Sequence, residues 1–164
     1  MMKRKALAAA LIVSAGLWSA SSLAQVTCTV SSSSVAFGVY EPLTGSNLDS
    51  TGTIELECER SFLDGQQGDV GLTVTLGAGG NGLFIPRAMS SGNGVLEYNL
   101  YTAASRNVVW GDGAGGTVSR NASISLPLFT LSGETSLTIY GEIPGGQFVP
   151  AGSYSDMITV TVTY

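Results

Sequence analysis

Apolar and polar residues alternate along most of this chain, and a period of two is typical of half-buried strands. Between residues 53 and 59 the alternation sets an apolar face against a face that carries three glutamates. Five further runs repeat the pattern. Their inward apolar residues are Val70, Leu72, Val74 and Leu76; Leu96, Tyr98 and Leu100; Ile124, Leu126 and Leu128; Leu137, Ile139 and Ile143; and Ile158, Val160, Val162 and Tyr164. No run has the period of a long helix, so the pattern predicts an all-β chain.

Turn-forming residues separate these runs, with glycine supplying the backbone conformations of positive φ that tight turns need. The separators are the segments 45–47, 64–65, 77–82, 90–94, 111–116 and 150–152. Seven to nine strands at this spacing predict a mostly antiparallel β-sandwich, and a closed barrel is the alternative.

The first residues are typical of an export signal. A basic cluster, Lys3 to Lys5, precedes an apolar run of about 13 residues, which is shorter than the roughly 20 that a membrane-spanning helix needs. Small residues at Ser22 and Ala24 predict cleavage before Gln25. We therefore expect a signal peptide over 1–24 and one mature domain over 25–164, with no membrane insertion once the signal is removed. An uncleaved anchor is the alternative.

The mature chain is strongly acidic. Three of the seven basic residues lie in the leader, which leaves four arginines and no lysine against twelve carboxylates, a net charge of about −8. Such a surface repels phosphate backbones and anionic lipid headgroups. We expect neither nucleic acid nor a membrane surface as a partner.

Cys28 and Cys58 are the two cysteines of the chain. In an exported protein they predict one disulfide. The alternative, a metal site on two cysteines, lacks histidine partners and a second cysteine pair, so we predict no metal.

No catalytic constellation is present. The chain has no histidine, and without lysine or a free thiol the mature part excludes Ser/His, Cys/His and Schiff-base chemistry. The glutamates 55, 57 and 59 fit a solvated strand face, and the aspartates 64 and 69 lack the spacing of a calcium loop. Tyr98 and Trp110 are predicted as core aromatics, with a ligand platform that includes Tyr101 as the alternative. We predict that the chain is not an enzyme and takes no cofactor.

Two motif matches are rejected because of their context. The segment 111–116 (GDGAGG) fits G-x-G-x-x-G, but that pattern binds dinucleotides only where it opens a helix in a βαβ unit. A threonine-containing β segment follows here, so a surface turn is predicted. The segment 121–123 (NAS) matches an N-glycosylation sequon, but we assign it no function because the other features of the sequence indicate a bacterial exported protein.

Several segments together resemble the spore coat protein U domain family, which is similar to the pilins of archaic chaperone-usher pili. The matching segments are 28–30 (CTV), 35–40 (VAFGVY), 50–58 (STGTIELEC), 96–101 (LEYNLY), 109–117 (VWGDGAGGT) and 140–164 (YGEIPGGQFVPAGSYSDMITVTVTY). They cover nearly all of the mature chain in order.

The resemblance implies an immunoglobulin-like sandwich that lacks its final strand. A periplasmic chaperone would lend that strand, and a neighbouring subunit would replace it during assembly through an outer-membrane usher. By the family pattern, the residues beside the open groove are Val35, Phe37 and Val39 on one side and Ile158, Val160, Val162 and Tyr164 on the other.

The chain departs from the repeating pilins of the family in one respect. Their donor extension precedes the first cysteine, whereas only three residues stand between the predicted cleavage site and Cys28. We therefore expect a structural or tip subunit of a surface pilus or coat, used in adhesion and biofilm formation, that accepts a strand. The predicted location is the periplasm in transit and then the surface of a Gram-negative bacterium, or the medium. The alternative is a stand-alone secreted coat or carbohydrate-binding module that does not polymerise.

Overall fold

A computed structural model describes residues 26–61 and 68–164 of this protein. Eight strands form in this part of the chain, together with one short 3-10 helix at Pro42–Thr44. The strands are β1 (Val26–Ser32), β2 (Leu48–Arg60), β3 (Gly68–Leu76), β4 (Arg87–Ser90), β5 (Val95–Tyr101), β6 (Arg120–Leu126), β7 (Ser132–Ile143) and β8 (Val160–Thr163). No helix of the described ranges has the length and apolar character needed to cross a membrane.

The strands form two antiparallel sheets. One has the order β1-β2-β7-β5-β4, and the other has the order β6-β3-β8. The apolar faces of both sheets turn toward each other and enclose the core, in which Trp110, Ile54 and Val74 are fully buried. The predicted all-β, immunoglobulin-like antiparallel sandwich is therefore confirmed.

The alternation along the chain places most core residues correctly. In β2 the residues Ile54, Leu56 and Cys58 are buried, and the three glutamates between and after them are exposed. Leu128 is the exception, because β6 ends at Leu126 and the side chain of Leu128 is 49% exposed in the turn that follows. Proline at position 127 has no amide hydrogen to continue the ladder, which explains why the strand ends there.

The predicted disulfide joins Cys28 and Cys58, which face each other in the register of β1 and β2. It fastens β1, an edge strand of the larger sheet, to the neighbouring strand β2. The predicted signal segment 1–24 and the turn at 64–65 lie outside the described residues, so both stay predictions.

Two strand edges are open on the same side of the sandwich. β1 ends the larger sheet, and β8 ends the smaller one. They approach each other at one end, where the backbone N–H of Cys28 donates to the Tyr164 hydroxyl oxygen at 3.3 Å. From that contact onward the two edges diverge.

Candidate strand-binding groove

The diverging edges enclose an open groove of about 470 Å³. One wall is the segment 32–37, which leads out of β1, and the other is the segment 154–160, which leads into β8. Core residues form the floor between these walls. They are Leu76, Met89, Tyr98, Leu100 and Ile139.

The first wall lies over two glycines on the inner face of the larger sheet. A Cβ atom on Gly52 would come within 2.8 Å of Val35 Cγ2, and one on Gly141 would come within 2.7 Å of Phe37 Cζ. Contacts of this length cannot form without movement of the neighbouring atoms. The absence of side chains at these inward positions therefore allows the wall to lie against the sheet.

A second cavity of about 610 Å³ extends the groove beyond Phe37. Both cavities share Val35, Phe37, Met89 and Tyr154, so they form one continuous channel along the sandwich edge. The seven residues 33–39 span at most about 23 Å in extended form, which is the length of an ordinary strand.

Much of the backbone along this channel lacks a sheet partner. Within the described ranges, no backbone-to-backbone hydrogen bond involves residues 34–40, and β8 pairs with β3 alone. Side chains hold the first wall instead: the Ser50 hydroxyl donates to the Ala36 carbonyl at 2.7 Å, and the Tyr40 hydroxyl donates to the Pro144 carbonyl at 3.0 Å. An extended peptide placed in the channel would meet free N–H and C=O groups.

The seven groove residues expected from the sequence fall into three places. Val35, Phe37, Ile158 and Val160 line the first cavity on opposite walls. Val39 is 81% exposed and lines the second cavity. Val162 and Tyr164 line neither cavity: Val162 packs against the core, and Tyr164 contacts β1 at the closed end.

A buried arginine lies beneath the groove. Arg87 is fully buried on β4, where its guanidinium donates to the carbonyl oxygens of Gly77 (2.8 and 3.0 Å) and Trp110 (2.8 Å). A further contact of 3.4 Å reaches Asn99 Oδ1. Burial lowers the pKa of Arg87, and attraction to Tyr98 and Asp156 opposes that shift.

Asp156 joins the groove wall to its floor. Its Oδ2 accepts the Tyr98 hydroxyl hydrogen at 2.7 Å, and its Oδ1 accepts the N–H groups of Gly80 and Met157 at 2.8 Å each. Burial, followed by the hydrogen bond to Asp156, raises the pKa of Tyr98. The hydroxyl of Tyr98 therefore stays protonated at neutral pH and continues to donate to the carboxylate.

Sequence reasoning missed Arg87, Asp156 and the two glycines. Arginine at an inward strand position breaks the apolar alternation, so β4 gave no strand signal. Gly52 and Gly141 did leave a signal, because each replaces an apolar residue at the inward phase of a strand, which marks a close backbone approach.

Two other candidates from the sequence, the segment 111–116 and Trp110, do not line the groove. The segment 111–116 is a loop, in which Asp112 Oδ1 accepts the Ala114 N–H at 2.9 Å, and no helix follows it. Tyr98 and Trp110 are buried core aromatics, as expected. Within the described ranges, no group of three or more possible metal ligands is brought together.

Comparisons with known proteins agree with this fold. The model of the Spore Coat Protein U domain family matches residues 15–161. Protein U of Myxococcus xanthus is 28% identical over 135 residues, which cover 78% of this chain and 70% of that protein.

A solved structure also matches, the chaperone–tip adhesion subunit pre-assembly complex CsuC–CsuE from archaic chaperone-usher Csu pili of Acinetobacter baumannii. The TM-score is 0.55 at 22% identity, with 85% of this chain covered. This chain spans 40% of the length of the solved chain, and at that identity the match carries the fold alone.

Proposed function

We propose that this chain, which belongs to the Spore Coat Protein U domain family, is a non-catalytic subunit of a chaperone-usher type surface pilus or coat. Its role is to accept a β-strand from another protein. The strand would enter the groove between Val35 and Phe37 on one wall and Ile158 and Val160 on the other.

The observation that carries this proposal is the groove itself. Its floor is apolar, its walls lead out of β1 in one sheet and into β8 in the other, and β8 presents an edge without a partner among the described strands. In β-augmentation, main-chain hydrogen bonds provide affinity and pockets for alternate side chains provide specificity. The groove offers main-chain hydrogen-bonding groups and space for alternate side chains over the length of one strand.

The partners follow from this mode of binding. A periplasmic chaperone would supply the first strand and protect the open edge in transit. Another subunit would then replace it at an outer-membrane usher, and the finished assembly would lie on the surface of a Gram-negative cell. The relative in the solved complex is described as a tip adhesion subunit, and we propose either a tip or a structural position for this chain in an adhesive, biofilm-forming fibre.

The test uses a synthetic ten-residue peptide with alternating valines, added to the chain prepared from the periplasm. We expect the peptide to raise the unfolding temperature, because a ligand that binds only the folded state at 100 times its Kd stabilises it by about 2.7 kcal/mol. Val160→Glu should reduce the affinity for the peptide, since a carboxylate would then face the apolar floor. Val95→Glu is the matched control, because Val95 is 59% exposed and lines neither cavity.

Affinity is measured at a temperature where all three proteins are folded, so that a loss of stability is not mistaken for a loss of binding. A chain that melts at high temperature alone and binds no alternating peptide would contradict the proposal. That outcome would favour the second candidate, a stand-alone coat or carbohydrate-binding module.

A further inference from the structure

The groove is apolar along most of its length but contains one polar position. Tyr98 and Asp156 both line the first cavity, between the apolar side chains of Phe37 and Ile158. The rings of Phe37 and Tyr98 meet edge to face with centroids 6.0 Å apart, so the polar pair is directly beside the first wall.

The Tyr98 hydroxyl oxygen and Asp156 Oδ2 can each accept a further hydrogen bond. The single hydroxyl hydrogen of Tyr98 is already donated to Asp156 Oδ2, which leaves the phenol oxygen with acceptor capacity only. Asp156 Oδ1 receives two backbone N–H groups, while Oδ2 receives one hydrogen and keeps a free lone pair. A strand that covers this pair with an apolar side chain would leave these lone pairs buried and unsatisfied.

A buried cation already lies near this position. The guanidinium of Arg87 is fully buried and is attracted to Asp156, although the two side chains are not in ion-pair contact. A lysine or arginine brought in by the strand would add a second cation near the buried guanidinium, and burying such a charge is costly. An acidic side chain would meet a carboxylate and would find no donor.

We propose that Tyr98 and Asp156 form a selective subsite of the groove, which takes a strand carrying a small neutral hydrogen-bond donor (Ser, Thr or Asn) at the facing position. This inference rests on the proposed function. The inward side chains two residues before and two residues after that position would be apolar, in keeping with the rest of the floor.

The experiment measures Kd for a set of alternating valine peptides in which each inward valine is replaced in turn by threonine or aspartate. At one position threonine should bind about tenfold more tightly than valine, which corresponds to a hydrogen bond with a charged group. At the other positions threonine should bind more weakly than valine, because its hydroxyl would be buried against apolar side chains.

Two protein variants identify the subsite. Tyr98→Phe removes one acceptor without changing the charge and should reduce the preference for threonine several-fold. Asp156→Asn replaces an acceptor by an amide donor and removes the negative charge that would repel an acidic side chain. The peptide with aspartate at the same position should therefore bind this variant at least tenfold more tightly than it binds the original chain. Asp69→Asn removes the same charge from an exposed position of β3 and should change neither preference.

The outcomes separate the two proposals. If the original chain binds none of the peptides, the proposed function fails and the subsite fails with it. If peptides bind but no position prefers threonine, or if Asp156→Asn gives no gain for any aspartate peptide, the subsite alone is refuted.

Discussion

Replacing Arg87 by methionine should strongly destabilise the protein. Methionine preserves much of the length of the side chain but removes the donors that satisfy Gly77 O and Trp110 O. Each buried acceptor left without a donor costs about 1–3 kcal/mol. Two such acceptors together give about 2–6 kcal/mol, so we expect a loss of about 4 kcal/mol.

Equilibrium denaturation in urea, with the disulfide intact, measures this loss as a lower midpoint at an unchanged slope. Arg106→Met is the control, because it also removes one arginine charge. Arg106 forms a 3.1 Å ion pair with Asp49, whose side chain is 51% exposed. Exposed pairs contribute about 0–1 kcal/mol, so the control should lose far less stability. A loss below about 1 kcal/mol for Arg87→Met would refute the view that this arginine holds the floor of the groove together.

Three further outcomes are expected. The stabilisation that depends on protonated Tyr98 should be fully present below about pH 10, the ordinary pKa of tyrosine in an unfolded chain, and should fall as the pH rises toward the raised pKa of Tyr98. Tyr98→Phe should reduce this alkaline loss of stability in denaturation curves measured at increasing pH. Gly141→Ala should cost about 1–3 kcal/mol and weaken peptide binding, because its Cβ would displace Phe37, whereas Gly71→Ala, with no atom within 4 Å, should cost nothing in the same melts. Thiol titration of the denatured, unreduced chain should find no reactive cysteine, and reduction should lower stability by about 3.6 kcal/mol for a loop of roughly 30 residues.

The strands that the sequence predicted are those in which every second side chain is apolar. Leu72, Val74 and Leu76 in β3 are buried at that period, and the polar residues between them face outward. Strand β4 escaped prediction because its buried residues are Arg87 and Met89, so the polar residue lies on the inward side. Local alternation cannot reveal an arginine whose partners, Gly77 O and Trp110 O, lie 10 and 23 residues away in the chain.

The groove was expected from a family resemblance and not from periodicity. Alternation in β8 assigns Val160 and Val162 to the same face, yet only Val160 lines the groove. The difference depends on where β8 and β1 approach each other, and the hydrogen bond between Cys28 and Tyr164 lies at that end. Such a contact joins residues 136 positions apart, so no local pattern could have indicated it.

The polar pair also helps to explain how an apolar groove can stay open when it is empty. The segment 154–159 has little sheet pairing: Ser155 exchanges two hydrogen bonds with Ser90, and the Thr159 carbonyl accepts from Gly77. Burial of apolar surface favours closing such a gap. Asp156 opposes closure, because moving the wall inward would break its bonds to Gly80 and Tyr98. A groove that stays open does not have to be ordered again when a strand binds, and this preorganisation increases affinity. The residues that select the strand are thus the same residues that hold the site ready for it.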